Sequence, residues 1–388
     1  MPQRPPARRA RRAACALAGL AALAAGVQAQ SPAADGPRAY ISHQGGDLGV
    51  IDLTTMQPLH EIDVQGSEPR GLGVTDDGKL LVSANRENSN ISVIDRATGQ
   101  LLRQVKIGVN PEFVRVKGRL AFVSFEPSST GGPPPKPGAA SEAEGGAAKG
   151  DGKGEDKGGP AGKEGAGGHD DDDDGPSIPA RVAVVDLDKG KVVREIVGGP
   201  ELEGIEFSAD GKRLLVTNER DNTVTVHDIA SGKRIKTVDT TKWGTRPRGI
   251  KRSPDGKHYV ATLEHGNSFI VMDASYKVLK SVPTGESPYG VAFDRAGERL
   301  FVAASRSKLL QVFDTKDWTK VAEVPVGARC WHFTFTPDDK QILVACGRSD
   351  DVVVVDAQTL QPTKKLPAGK MPWGIVTYPK SIGSLDAP

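Results

Sequence analysis

Cysteine is scarce, with three in 388 residues. That is too few for a disulfide-built scaffold or a multi-cysteine metal cluster. No apolar run beyond the N-terminal region approaches the roughly 20 residues a membrane-spanning helix needs. There is no CxxCH, so no haem is expected to be covalently bound; Cys330-Trp331-His332 has one residue between Cys and His and does not qualify. HExxH, GxSxG and a phosphate-cradling glycine loop are also missing. Nor is there a surplus of one charge. The formal net charge is +2, but five arginines sit in the first 29 residues, and the remainder carries 46 basic against 49 acidic side chains, a net of −3. A nucleic-acid partner, which needs a basic surface, is therefore not expected. What is plentiful is glycine (46) and proline (28), pointing to many turns and few long helices. A composition 37% hydrophobic and 26% charged suits a soluble core.

Residues 1–29 have the make-up of an export signal. Arg4, Arg8, Arg9, Arg11 and Arg12 form a positive start, and residues 13–27 a short apolar stretch of mostly Ala, Leu and Gly. Val27-Gln28-Ala29 then supplies small residues at −3 and −1 of a cleavage site. The mature chain is expected to begin near Gln30 in the periplasm, an oxidising compartment. Sec and Tat export both stay open.

A β-rich run ending in aspartate recurs along the rest of the chain: GVID (Asp52), SVID (Asp95), AVVD (Asp186), TVHD (Asp228), IVMD (Asp273), QVFD (Asp314) and VVVD (Asp356). The spacings are 43, 91, 42, 45, 41 and 42, and the outlier holds a visible insertion. A second series (EPRGLGV, ELEGIEF, RPRGIKR, SPYGVAF, MPWGIVT) and a third (TDDG, SADG, SPDG, TPDD) keep the same phase. Each unit reads as four short strands joined by Asp, Asn and Gly turns. Units of this length cannot bury both faces alone and stack around an axis. The chain starts mid-unit, and MPWGIVTYP at its end is an orphan inner strand. The expectation is an all-β, seven-bladed β-propeller over residues 30–388. It has four antiparallel strands per blade, and its ring is closed by the C-terminal strand pairing with the N-terminal blade, which hides both sheet edges.

The strings LVTNERDNTVTVHD (215–228), RGIKRSPDGKHYV (248–260) and LVSANRENSNISVID (81–95) resemble the YVTN-type β-propeller repeat. The resemblance covers essentially all of residues 39–380 outside the insertion. It implies an exported bacterial protein of the kind often found near periplasmic redox or cofactor systems. Cytochrome d1-type and lactonase-type propellers are similar at greater distance, but no matching local motif carries their functional residues onto this chain.

Residues 127–179, inside the third blade, are almost all Gly, Pro, Ala, Lys, Glu and Asp, with a net charge of −6. Such a segment cannot bury enough apolar area to offset its ordering entropy and is expected to be disordered. His169 followed by Asp170, Asp172 and Asp174 is the one dense ligand cluster. A solvated acidic tract and a weak oxygen-ligand cation site are both compatible with it.

A ligand site belongs at the channel mouth, just before each repeat's glycine position: Arg70, Glu112, Glu203, Arg248, Tyr289, Trp331 and Trp373. At the glycine position itself, Phe113 and His332 are the departures. The turns between strands 2 and 3 add Arg220, His265, Arg306 and Arg348, with Arg86 one step off, which together suggest a cationic rim able to focus anions. The same side chains also read as channel-plugging and ordinary soluble surface. His332 is open to a packing role or to iron ligation or base chemistry. Cys330 and Cys346 flank a hairpin centred on residue 338, so they should face each other; a cross-strand disulfide in an oxidising compartment and two buried free thiols both stay open.

These features favour a monomeric binding or scaffold protein over an enzyme. Its partner would be a protein or a small anionic or aromatic ligand at the funnel. The alternative is a cofactor-linked enzyme or cofactor-handling protein, working by haem d1-like electron transfer or metal-dependent lactone hydrolysis. The cofactor, if any, is not legible.

Overall fold

The structure is a computed structural model that describes Met1 and residues 36–126, 178–383 and 385–387. Residues 2–35, which include the expected export signal, and residues 127–177 of the insertion lie outside the described residues.

Seven four-stranded antiparallel sheets follow one another along the chain. We number the blades 1–7 and the strands within each 1 (inner) to 4 (outer). The ring closes as the sequence phase implies. Pro372–Tyr378, last in sequence, is strand 1 of blade 1 and pairs antiparallel with Arg38–His43, matching Arg38 to Tyr378, Tyr40 to Val376 and Ile41 to Ile375. The insertion leaves blade 3 between strands 2 (Leu120–Phe125) and 3 (Arg181–Asp186). Among the described residues the one helical element is a 3-10 turn at Gly347–Ser349.

The repeat residues act through turns. All seven repeat aspartates end strand 3, and each carboxylate accepts a hydrogen bond from a backbone N–H two or three residues on, as Asp228 does from Ser231 (2.8 Å) and Asp356 from Thr359 (2.7 Å). This is the local hydrogen bonding that makes aspartate a turn residue. The hairpins between strands 1 and 2 use a Ser/Thr-x-Asp device: Ser253 Oγ donates to Asp255 (2.6 Å), which accepts from the Lys257 amide (3.0 Å), and Gly256 takes φ +71°.

The repeat glycines explain the spacing at the axis. A Cβ on Gly249 would stand 2.4 Å from the Tyr289 carbonyl oxygen, and one on Gly71 2.4 Å from that of Glu112. At Gly71, Gly204, Gly249, Gly290 and Gly374 the inner strand therefore rests on the backbone of the next blade, an approach only glycine permits. Inner strands are largely buried, while strand 4 of each blade is largely exposed, as in Val278–Pro283.

After strand 1 of blade 1 the chain turns into the channel at the end opposite the mouth. Ser381, Gly383, Leu385, Asp386 and Ala387 are buried there. The Asp386 carboxylate accepts from the amides of Val74 (blade 2) and Val116 (blade 3), each at 2.7 Å. Lys380 Nζ lies 3.2 Å from the same carboxylate. Arg115 donates to the Ala387 carbonyl at 3.0 Å, and Lys251 of blade 5 to that of Leu385 at 3.2 Å. This plug is not foreseen in the repeat pattern.

Candidate functional site

Strand 1 breaks its pairing with strand 2 at the residues before the glycine position, between Pro69 and Leu72, Leu202 and Gly204, Pro247 and Ile250, Pro288 and Val291, and Cys330 and His332. Bulges of this kind re-aim side chains. Here they bring Arg70, Glu203, Arg248 and Tyr289 to the mouth, where Glu112 of blade 3 joins them. Arg70 pairs with Glu112. Arg248 pairs with Glu203 and Glu219, and its Nε donates to Glu264 at 2.6 Å. The Tyr289 hydroxyl donates to Glu203 at 2.8 Å, and the Arg248 guanidinium lies 5.0 Å over the Tyr289 ring. Arg70 lies 5.9 Å over Trp373.

Burial sets the electrostatics. Burial pushes Glu203 well above the usual carboxylate range against the pull of Arg248. Burial works against the charge of Arg248, but Glu203, Tyr289 and Glu219 together raise its pKa well above the usual value. Glu126, at the edge of the insertion, is pushed up to about 7 by burial and by the neighbouring charge of Glu112.

Beneath the network the axis is filled. His332 is 2% exposed, with ring centroids 4.4 Å from Trp373, 5.3 Å from Tyr289 and 6.0 Å from Phe113, all edge to face. Burial drops the His332 pKa to about 3, so the ring is neutral at physiological pH. Phe113 and His332, the two departures from glycine, thus supply the bulk that stops the channel. Between them and the C-terminal plug lies a cavity of ≈ 10 Å³, bounded by Lys251 and Leu385 among others. That is about the space of one water. A haem-sized ring does not fit in this stretch of the axis.

The other expected residues divide. Trp373 joins the axial aromatic group, whereas Trp331 lies back against Gly347 with Arg329 5.9 Å over its ring. His265, Arg306 and Arg348 stand exposed on the strand 2–3 turns and Arg220 is half-buried. His265 Nε2 is 3.5 Å from Arg246, and Arg86 bonds Asn110 and lies 3.4 Å from Glu68. The expected cationic rim is corrected to one of mixed sign. Glu68, Glu126, Glu201, Glu219 and Glu264 are interleaved with the arginines, and Arg86, Arg246 and Arg248 each pair with one or more of them, within the blade or across to the next. Glu126, Glu219, Glu264, Arg246 and Arg329 were not singled out from sequence; their position at the start or end of a strand, next to a bulge, is the signal that places them.

Cys330 and Cys346 face each other across the hairpin and are joined in a disulfide, the first of the two readings left open above. His169, Asp170, Asp172 and Asp174 lie outside the described residues. Among the described residues no group of three or more His, Cys, Asp or Glu side chains is arranged to hold a metal ion. No helix among them is long and apolar enough to cross a membrane.

The backbone is similar to those of solved β-propellers. A hydrazine synthase of Kuenenia stuttgartiensis matches at TM-score 0.63 and 19% identity, over 82% of this chain and 92% of that one. A functionally unknown protein from Desulfotomaculum acetoxidans matches at TM-score 0.66 and 13% identity, over 88% and 99%. A dihydro-heme d1 dehydrogenase, NirN, in complex with DHE, matches at 0.59 and 17%, over 87% and 74%. No protein-family model and no curated protein matches the chain. At these identities the likeness concerns the fold, which hosts many chemistries.

Proposed function

We propose that this chain is an exported periplasmic YVTN-type propeller that works by binding, with a protein partner seated on the channel mouth. The observation that carries this reading is the Arg248–Glu203–Tyr289 network. It presents a rigid polar surface of mixed charge above an axis stopped by His332, Phe113 and the C-terminal plug. Interleaved charges of both signs select a partner by electrostatic complementarity and fix its register. The exposed Arg306, Arg348 and His265 would make first contact, and the buried pairs would hold the floor beneath them. The −6 charge of the insertion, rooted at this end beside Glu126, would bias the mouth against acidic competitors.

The test is photo-cross-linking in the producing bacterium. A photoreactive residue is placed at 306, 348 or 265 in the exported chain, and at 279 or 321 on outer strands as controls. A discrete adduct from the mouth positions and none from the outer strands supports the reading. Adducts absent from the mouth, or equal at both, would refute it.

A further inference from the structure

The residue before strand 1 takes a left-handed backbone in all seven blades, at φ +49° to +57° from Glu68 to Met371. The residue after strand 2 donates its amide to it, as Glu219 does to Glu201 in blade 4 (2.8 Å) and Ser305 to Ser287 in blade 6 (3.0 Å). These two positions also meet across the joint between blades. Arg86 of blade 2 bonds Asn110 of blade 3, and Glu219 of blade 4 pairs with Arg246 of blade 5. In blade 7 the residue before strand 1 is again an arginine, Arg329. Its counterpart in blade 6 is Ser305, which is buried with its hydroxyl turned onto the Ser287 carbonyl at 2.9 Å.

The consequence is a guanidinium without the acid that Arg246 has. Arg329 Nε is buried and has no hydrogen-bond partner among the described residues. The carboxylate of Glu264 is 3.9 Å from its Nη1 and already accepts from Arg248 at 2.6 Å. Two more cations act on the same group. Burial is the main influence lowering the Arg329 pKa; Glu264 opposes it, and Arg348 and Arg306 add to it. Arg306 and Arg348 are exposed, and the Arg306 side chain makes no hydrogen bond or ion pair among the described residues. Acids on this side are engaged elsewhere: Asp350 accepts from the Met371 amide at 2.8 Å, and Asp351 lies 3.7 Å from Lys365. The backbone holds Arg329 and Arg348 side by side. The Gly347 amide donates to the Arg329 carbonyl and the Arg348 amide to that of Ala328, each at 3.0 Å, and the Cys330–Cys346 bond ties the same two arms.

We propose that Arg306, Arg329 and Arg348 form a site for one oxyanion of the phosphate or sulfate class, free or carried as an ester, which supplies to Arg329 what Glu219 supplies to Arg246. Guanidinium forks match the oxygens of such a group in pairs, a geometry a halide cannot use. The site opens at the rim, so the anion needs no passage into the stopped axis. It lies on the mouth but does not rest on the docking of a protein partner, because it acts in the isolated chain.

The experiment is calorimetric titration of the full-length protein with sodium phosphate, with phenyl phosphate and with sodium chloride, all at one ionic strength. Saturable one-site binding of at least one of the two phosphates is expected, and none of chloride. Tighter phenyl phosphate assigns a group carried on a larger molecule, and tighter inorganic phosphate the free ion; both support the site. Arg329→Gln should weaken binding by at least about tenfold. Arg306→Gln, at an exposed position, carries the same expectation and serves if the first variant does not fold. Arg295→Gln, which removes a like charge from a hairpin at the opposite end, should change nothing. Absence of saturation, equal binding of chloride, or undiminished binding in a folded Arg329 or Arg306 variant overturns the proposal. Phosphate binding without cross-links from the mouth would remove the docking reading alone, and cross-links without phosphate binding this site alone.

Discussion

The Asp386 carboxylate sits 2.7 Å from the backbone nitrogen of Val116, a residue 270 positions earlier in the chain. A second bond to the Val74 amide, also at 2.7 Å, makes one buried side chain the clasp between blades 2 and 3. The inner strands of those blades meet near the axis, so the plug braces the ring where it has least material. Asp386→Asn keeps the shape but turns an amide donor toward backbone donors. It should cost about 3 kcal/mol, the range for buried hydrogen bonds to a charged group. Denaturant unfolding measures the loss, and amide exchange at Val74 and Val116 should quicken. Unchanged exchange at both would show that the plug does not hold them.

A second prediction concerns the axis. Gly249→Ala puts a methyl group 2.4 Å from the Tyr289 carbonyl, where neither backbone can give way cheaply. A loss of at least about 2 kcal/mol is expected. Gly46→Ala, with nothing within 4 Å of its Cβ, should change stability by less than about 0.5 kcal/mol. Paired thermal melts of the two variants check the contrast.

Glu126 makes stability depend on pH. Its pKa rises from 4.5 to about 7 on folding, so the folded state holds the proton more tightly than the unfolded chain. The contribution is fully present below pH 4.5 and is lost as pH rises toward 7, by about 3 kcal/mol at most. Glu126→Gln should therefore match the wild type in acid and exceed it above pH 7. Unfolding curves at pH 5 and pH 8 decide it; an equal wild-type deficit at both pH values would contradict the assignment.

The disulfide closes a loop with a sequence separation of 16. Chain-entropy arguments give such a closure about 3 kcal/mol. Cys330→Ala/Cys346→Ala should lose about that much. The intact chain purified without reductant from its producing cells should gain the mass of two hydrogens on reduction, and no gain would mean the bond does not form in the cell.

What the sequence revealed and what it hid have a common physical cause. Asp52 through Asp356 and the axial glycines act within a few residues or on an identical neighbour, so repetition exposed them. The Cys330–Cys346 pair followed from counting to the centre of one hairpin. The plug has no repeat to mark it, and its partners Val74, Val116 and Arg115 are hundreds of residues away. The sign of the mouth was hidden for another reason. Whether Glu219 and Glu264 meet Arg248 depends on a bulge between Pro247 and Ile250, which alternation alone does not specify.

The central claim is that the protein's own side chains stop the axis, so that function resides on the mouth surface. Native mass spectrometry of the chain purified from its producing cells, with its visible absorption spectrum, tests this most directly. The account predicts the mass of the polypeptide with no macrocycle and no visible band. A stoichiometric tetrapyrrole, lost together with its band when His332 or Trp373 is changed, would contradict it.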